Sequence, residues 1–151
     1  MIRYSPQAST TMSAPELSAT AVSLWEDNAN YWDETMGPGG NKYWKVLQVP
    51  VLERLLGGVI RACGSKGCRA LELATGNGLG ARWLADNGAT SVVATDASEN
   101  MLQLSQKHIA QGQNITLRRL DVTSDEDFEQ LISEMADTVS LLADENCDKR
   151  E

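Results

Sequence analysis

No apolar run in this chain approaches the roughly 18 residues needed to cross a bilayer, so a membrane is not an expected partner. Basic residues are also few: Lys and Arg number 13 against 21 Asp and Glu. A nucleic-acid binder normally presents a basic face, and none is visible here. There is a single histidine, His108, and three cysteines, Cys63, Cys68 and Cys147. That donor set is too small and too scattered for a zinc site, which needs four well-spaced ligands. An odd cysteine count with no secretory signal argues for reduced thiols and a cytoplasmic location. The opening residues, MIRYSPQASTTMSAPELSAT, lack the apolar core of a signal peptide. Residues 1–21 are therefore expected to be a disordered leader. No internal repeat is present.

What the chain does have is a division of charge and pattern. Its net charge is −8 over 151 residues. Residues 121–151 hold eleven Asp and Glu against only Lys149 and Arg150, so the body before them is close to neutral. Residues 22–60 predict a helical cap in two parts. Leu24, Trp25, Tyr31 and Trp32 mark the first helix, and GPGG at 37–40 ends it. Trp44, Leu47, Val51 and Leu55 mark a second over 42–57, kinked or restarted at Pro50 and ended by Gly57 and Gly58.

From residue 61 the pattern alternates. Strands are predicted at 69–73, 91–95 and 114–119, with helices at 79–87, 98–111 and 125–143. Ser98 is the expected cap of the second of these helices. Strands alternating with helices imply an α/β fold with a parallel sheet and right-handed crossovers. Three strands make the N-terminal half of a doubly wound sheet, preceded here by the cap. One sheet edge is then expected to be open, and self-association through it is an expected hazard.

The residues that carry chemistry lie at the strand ends. Ala70–Gly80 reads ALELATGNGLG: an apolar strand, a glycine-rich turn and the start of a helix. Gly76 and Gly78 allow the backbone to turn sharply and approach a ligand, because no Cβ intervenes. Glu72 would repel a pyrophosphate but suits a cationic ligand. Asp96 ends the second strand and can accept from a cis-diol. Asp121 follows the third and can accept from an exocyclic amine. Ligands of open α/β sheets bind at these carboxyl ends. Taken singly, each acid is as easily a solvated strand end or a helix partner. The aromatic residues of the cap read most simply as packing, and His108 as structural or solvated.

Glu72-Leu73-Ala74-Thr75-Gly76-Asn77-Gly78-Leu79-Gly80, with Asp96 and Asp121-Val122 beyond it, resembles the class I, Rossmann-like S-adenosylmethionine-dependent methyltransferases. In that family the first strand ends in E/D-x-G-x-G-x-G, and Ala74 here replaces the first glycine. The resemblance implies S-adenosyl-L-methionine as cofactor. It implies cofactor contacts at Glu72, Ala74, Gly76, Gly78, Asp96, Ala97, Met101, Asp121 and Val122, and a small-molecule methyl acceptor. It implies direct methyl transfer without a metal. The family's substrate-facing loops follow later strands, so no catalytic residue is assigned and residues 61–151 are expected to be a truncated domain of low activity. Two other readings stand beside it. One is a non-catalytic remnant or partner-binding fragment. The other is an NAD(P)-dependent oxidoreductase fragment, since Gly76–Ala81 also fits G-x-G-x-x-A. Glu72, and a first strand that begins only near residue 69, count against the second.

Overall fold

In a computed structural model the described residues are 13–63 and 67–135. The first element is a long helix, α1 (Ala14–Met36). It starts earlier than the leader reading of residues 1–21 allows. The reason is local: Pro15 stands in the first turn, and the Ser13 N–H donates to Glu16 Oε2 at 2.8 Å. This is half of a capping box, which supplies an acceptor for an otherwise orphaned donor. Gly37, at φ 71°, closes the helix, its N–H donating to the Asp33 carbonyl at 2.7 Å.

A second helix, α2, spans residues 42–62 and also departs from expectation. It does not stop at Gly57 and Gly58. Two wide π-helical turns, Trp44–Gln48 and Glu53–Gly57, flank a regular stretch at Val49–Leu52. Pro50 lacks an N–H and its ring crowds the preceding turn; the wide turn at Trp44–Gln48, just before it, accommodates this without breaking the helix. Helical backbone then continues through Gly58–Ala62.

Three strands follow: β1 (Cys68–Glu72), β2 (Ala89–Asp96) and β3 (Ile115–Arg119). They pair in parallel in the order β1-β2-β3, as the alternating pattern predicts. Ala70 lies opposite Val92, and Ala94 opposite Leu117. Parallel neighbours need crossovers, and these are α3 (Leu79–Asp86) and α4 (Glu99–His108). A last helix, α5, covers 125–135; the rest of the predicted 125–143 helix, and Cys147, lie outside the described residues.

The core has two parts. Ala81 on α3 packs with Ala89, Val92 and Ala94 on β2, and Leu84, Ile115 and Leu117 join from the periphery. The small side chains let α3 approach the sheet closely. The second part joins α1 to α4: Ala29 packs on Met101 and Leu104, with Trp32 alongside. That second cluster lays α1 beside the carboxyl ends of the strands, where the acids predicted from sequence stand. Among the described residues no helix is long and apolar enough to cross a membrane.

Candidate functional site

The site is built on the turn after β1. Ala74 and Gly76 both sit at φ 56°, and Gly78 at φ 79°. Ala74 is the only non-glycine described with positive φ. An L-residue there costs about 1–2 kcal/mol, so the turn is held by its surroundings. Asp96 holds it from β2: its Oδ2 accepts the Gly76 N–H at 2.8 Å, and its Oδ1 accepts the Ser98 N–H at 3.0 Å. Ser98 in turn caps α4, its Oγ accepting from the Met101 N–H at 3.1 Å, which is the cap read from sequence. The sheet continues into the turn, with the Thr75 N–H donating to the Thr95 carbonyl at 2.8 Å.

Glu72 lies under the turn. Its Oε2 accepts from Thr75 Oγ1 at 2.6 Å. Burial pushes its carboxyl up to about 7, and the nearby Asp96 charge adds to this. Hydrogen bonds from Thr75 and from the Ala81 backbone, with the Arg82 guanidinium, oppose the rise without cancelling it. Burial lowers the pKa of Arg82, against the pull of Asp33, Asp86 and Glu72.

Asp121 is arranged differently. Its Oδ1 accepts from the Thr123 N–H at 2.9 Å and from Thr123 Oγ1 at 2.7 Å. Its Oδ2 accepts from Ser18 Oγ on α1 at 2.9 Å. These bonds, the backbone one first, hold its carboxyl below the usual carboxylate range. Both oxygens thus already have partners, and one partner comes from the cap.

Two cavities open at these strand ends. The first, of about 490 Å³, lies between α1 and the rim formed by Ala74, Gly76, Asp96 and Ala97. Met101, Asp121 and Val122 complete that rim, while Ser18, Val22, Trp25 and Trp32 supply the α1 wall. The second, of about 390 Å³, continues past the turn. Glu72, Thr75 and Asn77 border it on one side and Met36, Trp44, Leu47 and Val51 on the other. Trp32, Ala74 and Gly76 belong to both cavities, so together they form one cleft. Trp25 and Trp32 meet edge to face, with ring centroids 5.5 Å apart.

Eight of the nine residues singled out from sequence border this cleft; Gly78 does not. It is buried below the turn as the residue before α3, where an added Cβ would overlap Ser105 Oγ. Its positive φ and that close packing, not ligand approach, demand glycine. At Gly76 the space is open, since an added Cβ would meet only Trp32 Nε1, at 3.6 Å. Sequence reasoning missed Ser18, Trp25 and Trp32 as cleft residues. It also missed that His108 bonds to Asp33 at 2.8 Å. Nothing local marks Ser18, which stands in a polar stretch. Among the described residues no group of acids, histidines and cysteines could hold a metal.

Chemically, the first cavity offers apolar walls for a flat ring and two carboxylates at its rim. The second offers a buried carboxyl beside an open glycine. A sequence model of the methyltransferase domain matches residues 70–145, half of the chain. The chain therefore belongs to the methyltransferase-domain family. Solved structures agree. DhpI in its SAH complex is 30% identical, covers 72% of this chain and 47% of its own, and superposes with a TM-score of 0.54. Two further structures share the fold at lower identity. The S-adenosylmethionine-dependent methyltransferase from Anabaena variabilis is 23% identical over 76% of this chain and 44% of its own, with a TM-score of 0.55. Magnesium protoporphyrin IX methyltransferase from Synechocystis, with bound SAM, is 22% identical over 74% of this chain and 57% of its own, with a TM-score of 0.54. This chain spans about half the length of these structures. No curated protein is a significant match.

Proposed function

We propose that this chain binds S-adenosyl-L-methionine and serves methyl transfer to a small-molecule acceptor. The observation that carries the reading is the single cleft in which Gly76, Asp96 and the Asp121–Val122 segment line one cavity beside an apolar wall. Bound there, the cofactor supplies an electrophilic methyl on a sulfonium. The residues bind and orient. Asp96 keeps lone pairs free beyond its two amide bonds and is the acceptor for a ribose diol. Met101, Val122 and Trp25 provide apolar surface for an adenine ring. The Asp121 carboxylate, bonded to Ser18 and Thr123, fixes the adenine end of the wall. Glu72, at the turn, is in this reading the partner of the ligand's ammonium, and a cation there would favour its ionised form. Gly76 leaves space for the chain of the amino acid.

The second cavity is the acceptor's place in this reading. Its apolar side, with Trp44, Leu47 and Val51, suits a small, largely apolar molecule. Transfer rests on alignment of two bound reactants, which by itself lowers barriers substantially. A cytoplasmic setting is part of this reading and rests on the odd cysteine count. Calorimetric titration with S-adenosylhomocysteine and, separately, with NAD tests the cofactor. Binding of the first and not the second is expected; tighter binding of NAD refutes the reading.

A further inference from the structure

Within the glycine turn, the side-chain amide of Asn77 bonds to the cap helix α1. Asn77, between Gly76 and Gly78, is only 2% exposed. Its Nδ2 donates to Asp33 Oδ1 at 2.9 Å. The same oxygen lies 2.8 Å from His108 Nε2. Asp33 belongs to α1, Asn77 to the turn and His108 to the end of α4, so one carboxylate oxygen joins three elements. The Asp33 and His108 side chains are themselves about four-fifths buried, at 17% and 18% exposure. Arg82, which faces Asp33, Asp86 and Glu72, adds a cation on the same side and bonds the Pro38 carbonyl at 2.8 Å just after α1.

The physical need is clear from the backbone. Gly76 and Gly78 flank Asn77, and glycine loses more conformational freedom on ordering than any other residue. Backbone bonds hold the turn at Thr75 and Gly78. Asp96 holds it at Gly76. The residue between the glycines is fixed through its side chain. Ordering a binding loop before the ligand arrives removes that cost from binding.

We propose that Asp33 is a positioning residue for the glycine turn: through Asn77 it holds Gly76 and Gly78 in their binding conformation, and His108 holds the Asp33 carboxylate in place. Ligand affinity at the turn is thereby tied to the docking of α1. The identity of the ligand rests on the methyltransferase reading; the strut itself does not.

The test uses the full chain and two measurements. One is the affinity for S-adenosylhomocysteine. The other is amide hydrogen exchange at Gly76 and Gly78 without ligand. In Asn77→Asp two carboxylates face each other. Affinity is expected to fall about ten- to a hundredfold, as when a hydrogen bond to a charged group is lost. Exchange should quicken at those two amides more than in β2. The double variant Asn77→Asp with Asp33→Asn restores an N–H donor facing a carboxylate, with the polarity reversed. It should recover both measurements. His108→Gln keeps a donor beside Asp33 and should leave turn exchange near wild type, whereas His108→Ala should quicken it. Unchanged exchange at Gly76 and Gly78 in Asn77→Asp overturns the proposal. So does uniform quickening across the strands with no recovery in the double variant, which marks a contact that only supports the fold. A wild-type protein that binds no S-adenosylhomocysteine refutes the methyltransferase reading, and the exchange data then decide the strut alone.

Discussion

The two cap helices both precede the sheet, yet they are fastened in opposite ways. α1 is bonded to the sheet layer by polar groups along its length. Ser18 reaches Asp121 and Thr123. Glu26 accepts from the Glu99 and Asn100 N–H groups at 2.5 and 3.1 Å, satisfying donors at the start of α4. Asp33 reaches Asn77 and His108. α2 has its ion pair within itself, Arg61 to Glu53 at 2.7 Å. It leaves Val46, Leu55 and Val59 at least 60% exposed. The difference teaches that α1 is part of the site's frame, whereas α2 borders it with one apolar side. Directional bonds fix α1 in register over the strand ends; non-directional apolar contact leaves α2 to cover.

The sharpest test of that contrast sets a glycine beneath the α1 side against one on α2. Gly78→Val combines a strained φ with overlap at Ser105, and should cost about 3 kcal/mol or more. Gly58→Ala, in α2 with nothing within 4 Å of the added carbon, should instead raise stability by about 0.5–1 kcal/mol. Thermal unfolding of both variants checks the pair, and equal shifts would erase the distinction.

Next in size is the pH dependence of Glu72. Its folded pKa of about 7 lies above the ordinary 4.5, so the folded protein holds this proton more tightly than the unfolded chain. The stability it contributes is complete below about pH 4.5 and lost as pH rises through 7. The gap corresponds to roughly 3 kcal/mol at most. Urea unfolding at pH 5 and pH 8 should show that decline in wild type and a flatter profile in Glu72→Gln. A profile unaltered by the substitution would remove Glu72 as its source.

Asp96→Ala should weaken S-adenosylhomocysteine binding by about 1.5–3 kcal/mol, the range for hydrogen bonds to a charged group. Calorimetry on the folded variant reads it, and unchanged affinity would exclude Asp96 from the ligand's contacts. The smallest pair returns to the cap. Glu26→Ala should cost about 1 kcal/mol by unsatisfying the α4 N-terminus. Leu55→Ala, 60% exposed on α2, should stay within about 0.5 kcal/mol. If the order reverses, α2 and not α1 is the helix that holds the cap.

Much of this frame is legible in the sequence. The alternation of short apolar strands with helices located β1, β2, β3 and the helices between them within a few residues. The glycine turn and its three acids stood at strand ends as expected. The start of α1 is signalled only by Ser13 and Glu16 at capping spacing, amid small polar residues that suggest disorder. Gly57 and Gly58 predict an end to α2 because such a pair usually stops a regular helix, but the wide turn at Glu53–Gly57 carries the backbone past them. The packing of Gly78 on Ser105 is not legible in the sequence, which shows that a glycine is needed but not which side of the turn needs it.

The sequence by itself determined the order of elements, the parallel sheet and the family. Those follow from local propensity, apolar periodicity and a short motif, all of which are properties of neighbouring residues. Only the tertiary structure decided that Asp33 meets Asn77, 44 positions on, and that Ser18 meets Asp121, 103 positions on. The reason is physical. Apolar pattern states which face of a helix is buried, but a hydrogen bond forms within a few tenths of an ångström. That precision is set by how α1 packs through Ala29 and Trp32 on Met101 and Leu104, and no local pattern in the chain encodes it.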